Sequence, residues 1–117
     1  MITLTLPWPP SVNHYYRHVG PRTLISRAGR TYRRRVLRSV YGLRPMQGSL
    51  AVEMDAHPPD RRRRDIDNLP KCVLDALENA GVYDDDSQID DLHIRRRAVV
   101  PEGQLIVRIS YAESNAT

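Results

Sequence analysis

The chain has 117 residues, a net charge of +4, 40% hydrophobic and 27% charged residues, which suits one folded domain with one core and excludes wholesale disorder. The single cysteine, Cys72, excludes an internal disulfide and a cysteine zinc site. No apolar run could span a bilayer and the start lacks signal-peptide blocks, so the chain reads as a soluble cytoplasmic protein. The charge is skewed: residues 1–52 carry nine Arg and no acid, whereas residues 53–117 carry all 14 acids against eight Arg and Lys71, the only lysine.

Ile2, Leu4 and Leu6 alternate with Thr3 and Thr5, which predicts a strand stopped by Pro7, Pro9 and Pro10. Residues 11–22 read as a long ordered loop crowding Asn13, His14, Tyr15, Tyr16, Arg17 and His18, and 23–25 as a short strand. Ser26 is placed to cap a helix over 27–43, in which Tyr32, Val36, Leu37 and Val40 follow helical spacing. Arg27, Arg30, Arg34 and Arg38 are spaced 3, 4 and 4 and share another face of it. Gly42 and Pro45 end it.

Leu50, Val52, Met54 and Ala56 alternate in a strand over 49–57, broken by Pro58-Pro59-Asp60 and followed by Arg61-Arg-Arg-Arg64. A second helix over 68–80 buries Leu69, Val73, Ala76, Leu77 and Ala80, with Asp67 as its candidate cap, Pro70 in its first turn and Gly81 at its end. An acidic turn at 83–87 leads to two strands, 88–100 and 103–111, joined by a Pro101-Glu-Gly103 turn, and 112–117 read as a frayed tail. The order β, (β), α, β, α, β, β predicts an α/β (α+β) fold: a small mixed β-sheet with two helices packed on it, in a single domain over 1–117.

The segment Arg64-Asp65-Ile66-Asp67-Asn68-Leu69-Pro70-Lys71 is the richest in chemistry. In extended chain Asp65 and Asp67 would point the same way, with Ile66 to the core. Lys71, four residues past Asp67, can reach the same space, and Asp84-Asp85-Asp86 follows the helix. Carboxylates converging without His or Cys suit a hard cation such as Mg²⁺, whose usual partner is phosphate. Plain alternatives stand beside this: Asp67 as a cap, the acidic run as a solvated turn, Lys71 as a surface lysine and Cys72 as helix packing. The arginine runs could be solvated faces, but guanidinium groups suit phosphate, and a basic patch is the usual footprint of nucleic-acid binding. Asn13, Tyr16, Arg17, Arg27, Arg30, Arg34 and Arg38 are candidates for that surface. Tyr15 or Tyr16 could stack on a base or pack locally, and His14 and His18 could pair on a metal only if helical.

These residues resemble the RusA family of Holliday junction resolvases of bacteria and their prophages. The opening Leu-Pro-Trp-Pro-Pro-Ser-x-Asn-x-x-Tyr-Arg pattern is matched from Leu6 to Arg17, the acidic signature at Pro59 to Leu69 with Lys71 beyond it, and a third acidic site at Asp85-Asp86-Ser87-Gln88. The resemblance spans nearly the whole chain. It implies a homodimer that binds four-way DNA junctions and makes paired, symmetric nicks using Mg²⁺, with Mn²⁺ able to substitute, and with no membrane or small-molecule cofactor. It implies Asp65, Asp67 and Asp86 as metal carboxylates, Lys71 as the catalytic lysine and Arg64 as a phosphate or DNA contact. The match selects Asp86 in the acidic run, with Asp85 the next candidate. The family prefers to cut next to a CC dinucleotide; nothing in the residues reads that preference out. Two other readings remain open: a non-catalytic basic nucleic-acid-binding protein, and a nuclease preferring other branched DNA.

Overall fold

Alternating apolar residues build a four-stranded sheet, and helical spacing supplies the cover for one of its faces. The computed structural model describes residues 1–112. Its elements are β1 (Ile2–Pro7), α1 (Val12–Tyr15), β2 (Tyr16–Val19), β3 (Arg22–Ile25), α2 (Arg27–Ser39), β4 (Leu50–His57), α3 (Leu69–Asn79), β5 (Ile89–Arg96) and β6 (Gln104–Tyr111). The main sheet has the order β1-β6-β4-β5, antiparallel except for the parallel pair β4 and β5. β2 and β3 form a separate hairpin. This is the mixed α+β architecture expected from the element order.

Leu4, Leu6, Leu50, Val52, Met54, Ala56, Leu105, Val107 and Ile109 form the sheet's buried face. α3 lays Leu69, Cys72, Val73, Ala76 and Leu77 against it, and α2 adds Tyr32 and Val36. Each such side chain taken fully from water stabilises the fold by about 1.5–3 kcal/mol before entropy is counted. The opposite face is ionic. Asp55, only 7% exposed, accepts from Arg97 at 3.0 Å and Arg108 at 2.9 Å. Arg95 stands 3.6 Å from the same carboxylate. Burial pushes the Asp55 carboxyl up, but its hydrogen bonds to Arg108 and Arg97 and their charge outweigh this and hold it below its ordinary value.

Four local expectations need correction. Residues 11–22 are not a loop: the Ser11 carbonyl accepts from the His14 and Tyr15 amides at 2.9 and 2.8 Å, closing one helical turn that feeds the hairpin. His14 and His18 therefore sit on different elements and are no helical pair; His14 contacts Ser11 and His18 contacts Thr23. Ser26 does cap α2, accepting from the Gly29 amide at 3.0 Å, but the helix stops at Ser39 and Leu37 is 46% exposed. The buried stripe runs through Gly29, Tyr32 and Val36 to Val40, and Leu37 lies to one side of it. Gly29 is required because a Cβ there would come 2.4 Å from the Tyr15 carbonyl oxygen.

α3 begins at Leu69, and Asp67 does not cap it. Asp67 lies inside a 3₁₀ turn, Ile66–Asn68, and Asn68 precedes the helix without a side-chain cap. Finally, β5 and β6 are consecutive but not neighbours, because β4 lies between them. The strand expected to reach Val100 stops at Arg96; since β6 is antiparallel to both β4 and β5, the connection stays at one end of the sheet and passes over the end of β4, and the expected turn at 101–103 closes with the Gly103 amide on the Val100 carbonyl at 2.8 Å. The crossing is held by the Arg97 amide on the Ala56 carbonyl at 2.8 Å and the Val100 amide on the Pro58 carbonyl at 3.0 Å. Of the expected tail, Ala112 donates to the Ser49 carbonyl at 3.0 Å, and 113–117 lie outside the described residues.

Candidate active site

The chain leaves β4 at the end of the sheet, turns through Asp60 and the arginine run, and enters α3 through the 3₁₀ turn. Asp65 is extended and exposed just before that turn, so the even-spacing argument for Asp65 and Asp67 does not apply. Ile66 does pack against the core, which anchors the turn while Asp67 and Asn68 stay exposed. Arg64 is half-buried, donates to Asp60 at 2.7 Å, and places its guanidinium carbon 5.8 Å from the centre of the Trp8 ring. The hydrogen bond from Arg64, with a second from the Arg62 amide, pulls the Asp60 carboxyl down to about 2. Asp60 thus remains ionised and fixes Arg64 next to Asp65.

One polar stripe of α3 carries Lys71, Asp75 and Glu78, spaced four and three. Lys71 is exposed and holds its ammonium 5.4 Å from the centre of the Tyr16 ring. With Asn13, Tyr16 and His18 it lines a hollow of about 270 Å³, so three of the expected site residues do meet there. Asp75 accepts from the Tyr15 hydroxyl and from Arg33 Nη2 at 2.8 Å, while Arg33 Nε reaches the Tyr15 oxygen at 3.1 Å. This trio ties α1, α2 and α3 together. Tyr15 is fully buried and is therefore core, not a base-stacking group.

Glu78, at the far end of the stripe, accepts from the Asp86 amide at 2.8 Å. Among the described residues, Glu78, Asp85 and Asp86 are the group of carboxylates whose oxygens lie within 4.8 Å of one another. Asp65 and Asp67 are outside that group. The Ser87 amide holds the Asp85 carboxyl below its ordinary value and occupies one of its oxygens, while Asp86 has no such bond. Gln88 anchors the run: its Oε1 accepts from the Asp84 and Asp85 amides at 3.0 Å, and its Nε2 donates to the Met46 and Gly48 carbonyls at 3.1 and 2.9 Å.

Tyr16 stands at the Lys71 end of the stripe. Burial raises its phenol pKa, the charges of Asp75 and Asp86 add to the rise, and Arg33 opposes it. Arg17 and the α2 arginines Arg27, Arg30, Arg34 and Arg38 are all exposed, as expected; Arg30 also donates to the Ile25 carbonyl at 2.9 Å and Arg34 to Thr31 at 3.2 Å. Sequence reasoning missed Glu78, though the spacing of Lys71, Asp75 and Glu78 on a polar helix face was a readable signal, and it named Gln88 only as the end of the third acidic motif. Trp8, the only tryptophan, was placed in the opening pattern without a role; it lines the hollow of about 270 Å³ that contains Asp65 and Asn68.

The all-oxygen donor set of Glu78, Asp85 and Asp86 fits a hard divalent cation, and the exposed lysine and arginines elsewhere on the surface fit the charge of a phosphodiester. Fold and site together define a class: small α+β proteins that carry exposed carboxylates and guanidinium groups on one small domain, the side-chain chemistry suited to a metal ion and a phosphodiester. Residues 7–110 match the family model described as Endodeoxyribonuclease RusA. The chain is 44% identical over 110 residues to a crossover junction endodeoxyribonuclease of Enterobacteria phage 82, with 92% of each chain covered. It is 42% identical over 111 residues to that of Shigella sonnei, again over 92% of each, and 40% identical over 112 residues to that of Enterobacteria phage HK97, over 93% of each. The protein belongs to the RusA endodeoxyribonuclease family.

Proposed function

We propose that this protein is a metal-dependent endonuclease that resolves four-way DNA junctions by paired, symmetric nicks during recombination and repair of DNA in the cytoplasm. The observation that carries the reading is the placement of Lys71 on Tyr16, on the same polar stripe of α3 as Glu78, which accepts from the Asp86 amide, in a chain whose relatives are named for cutting crossover junctions. Following the family pattern, Asp65, Asp67 and Asp86 would hold Mg²⁺, for which Mn²⁺ could substitute; the structure groups Asp86 with Glu78 and Asp85, so holding the ion would require Asp86 and the turn at 65–67 to draw together. Such an ion, when bound, activates water and stabilises the leaving oxygen of a phosphodiester.

The rest falls to the chain's own groups. Lys71, held by an aromatic face, offers a positive charge to the oxygens of the phosphate under attack. Arg64, fixed by Asp60, offers its remaining N–H groups to a backbone phosphate next to Asp65. Glu78 and Gln88 hold the loop that presents Asp86. The acid-free α2 face, with Arg27, Arg30, Arg34 and Arg38, and Arg17 on the hairpin supply phosphate docking, so binding weakens steeply with salt. A homodimer suits the reaction because a two-fold pair of sites meets equivalent strands of a nearly two-fold junction. No helix among the described residues is long and apolar enough to cross a membrane.

The test is incubation with a mobile four-way junction, and with linear duplex as control, with Mg²⁺ and with EDTA. Paired nicks in the junction alone, only with Mg²⁺ and leaving 5′-phosphate and 3′-hydroxyl ends, are expected. Metal-independent binding without product would instead make the protein a non-catalytic binder, and faster cutting of flaps or forks would move the substrate to other branched DNA.

A further inference from the structure

Trp8 stands where three hollows meet. One, of about 570 Å³, is walled by Arg64, Arg96 and Arg97. The second, of about 270 Å³, holds Arg63, Asp65 and Asn68. The third, of about 560 Å³, reaches Arg27, Thr31 and Arg35 of α2. Two of these volumes fall in the ~300–1,000 Å³ range of sites that enclose small organic groups. Every hollow has arginine on one wall and the same indole on another. The indole is half-buried: it packs against the core and carries the Arg64 guanidinium 5.8 Å from its ring centre, yet it still lines all three hollows, so a base would stack on it beside or in place of Arg64.

Its backbone is also held. Pro7 precedes Trp8 and Pro9 follows it, which narrows the conformations of the segment. Gly103 lies behind it in the left-handed region, with φ of +74°, and a Cβ there would come 2.8 Å from the Trp8 Cβ and 3.0 Å from Pro59. A flat aromatic surface presented on a fixed backbone costs little entropy when something stacks on it. Nucleobases stack on such surfaces whatever their identity, while arginine takes the adjoining phosphate.

We infer that Trp8 is the stacking platform for one DNA base unpaired at the branch point, and that this base belongs to a nucleotide flanking the bond that is cut. Asp65 shares a hollow with Trp8, so a nucleotide stacked there has its phosphate delivered to the acidic turn. Asn68 lines the same hollow and brings an amide able to donate to and accept from a base edge. The inference rests on the junction-nuclease reading and adds to it the group that captures the substrate's base.

Because Trp8 is the only tryptophan, its own fluorescence reports the event. The wild-type protein is saturated with a four-way junction in EDTA, with saturation followed independently by gel shift, and single abasic nucleotides are then scanned across the branch point. Trp8 emission is expected to fall on the intact junction. It should recover for one abasic position, which should also weaken binding by about 5- to 150-fold, the range of one base–aromatic stack. Trp8→Ala should lose the same factor on the intact junction and nothing further on that abasic one, and Trp8→Phe should recover most of it. Unchanged emission at saturation, or losses from Trp8→Ala and abasic sites that multiply at every position, overturn the inference. If Trp8→Ala does not fold, the wild-type emission scan decides alone. The two readings fail separately: nicks made with Mg²⁺ while Trp8 emission ignores the DNA remove only the platform, and quenching without nicks under any metal removes only the nuclease.

Discussion

Lys71 and Tyr16 form a cation–aromatic pair, with 5.4 Å between the ammonium nitrogen and the ring centre. They are 55 positions apart and come from different elements, so the hairpin that carries Tyr16 aims the only lysine of the chain. Such a pair is worth about 0.5–2 kcal/mol, so replacing the ring should slow junction cleavage by roughly 2- to 30-fold. Tyr16→Phe, which keeps the aromatic face, should cut close to the wild-type rate, and Tyr16→Leu should show the loss. Lys71→Ala should lower single-turnover cleavage further while junction affinity changes little. A large loss of affinity with Lys71→Ala would make it a docking contact.

The carboxylates should separate chemistry from binding. Asp65→Asn, Asp67→Asn and Asp86→Asn are each expected to abolish cleavage with Mg²⁺ and to leave gel-shift affinity for the junction intact, because each keeps the shape of the side chain and removes its charge. Wild-type cutting by any one of them removes that residue from the metal set. Asp85→Asn is the control: its carboxylate is already engaged by the Ser87 amide, so it should cut at a substantial fraction of the wild-type rate.

Glu78 offers a sharper distinction. Its observed bond is to the Asp86 amide at 2.8 Å, which an amide oxygen can also accept. Glu78→Gln should therefore keep cleavage and its Mg²⁺ dependence, while Glu78→Ala should release the Asp86 loop and lower the rate. If Glu78→Gln instead needs far more Mg²⁺ for half-maximal rate, Glu78 is a metal ligand in its own right.

Asp55 governs stability toward acid. Its folded carboxyl sits below its ordinary value, burial being outweighed by Arg108 and Arg97. The stabilisation is thus complete above about pH 4, near the unfolded value, and is lost as pH falls through the folded one. Asp55→Asn should destabilise the protein by about 1–3 kcal/mol near neutral pH, since three arginines lose a charged partner. The gap between variant and wild type in urea unfolding should narrow as pH drops below about 4. A gap that stays constant would show that the ion network adds nothing specific to the charge of Asp55.

Much of the fold was legible because its signals are local. Alternation marked β1 and β4, Ser26 marked the start of α2, and the spacing of Leu69, Val73, Ala76 and Leu77 marked α3. The loop at 11–22 was misread because the one-turn helix and hairpin are closed by backbone bonds that composition does not announce. The site was half legible. Lys71 and Asp86 stood out by residue type and family pattern, but Glu78 and Gln88 act through main-chain amides and carbonyls, and those contacts have no sequence signature.

The sequence by itself determined the chemistry available to this protein: an acid-free basic half, a short acidic signature with one lysine beside it, and a third acidic run in the order of its family. Periodicity and residue type suffice for that, since charge and hydropathy belong to each residue alone. Only the tertiary structure decided who meets whom. It set β4 between β5 and β6, put Lys71 on Tyr16, bound Asp86 to Glu78 rather than gathering it with Asp65 and Asp67, and opened three arginine-walled hollows around Trp8. Those contacts join residues tens of positions apart, and packing of the whole core fixes them.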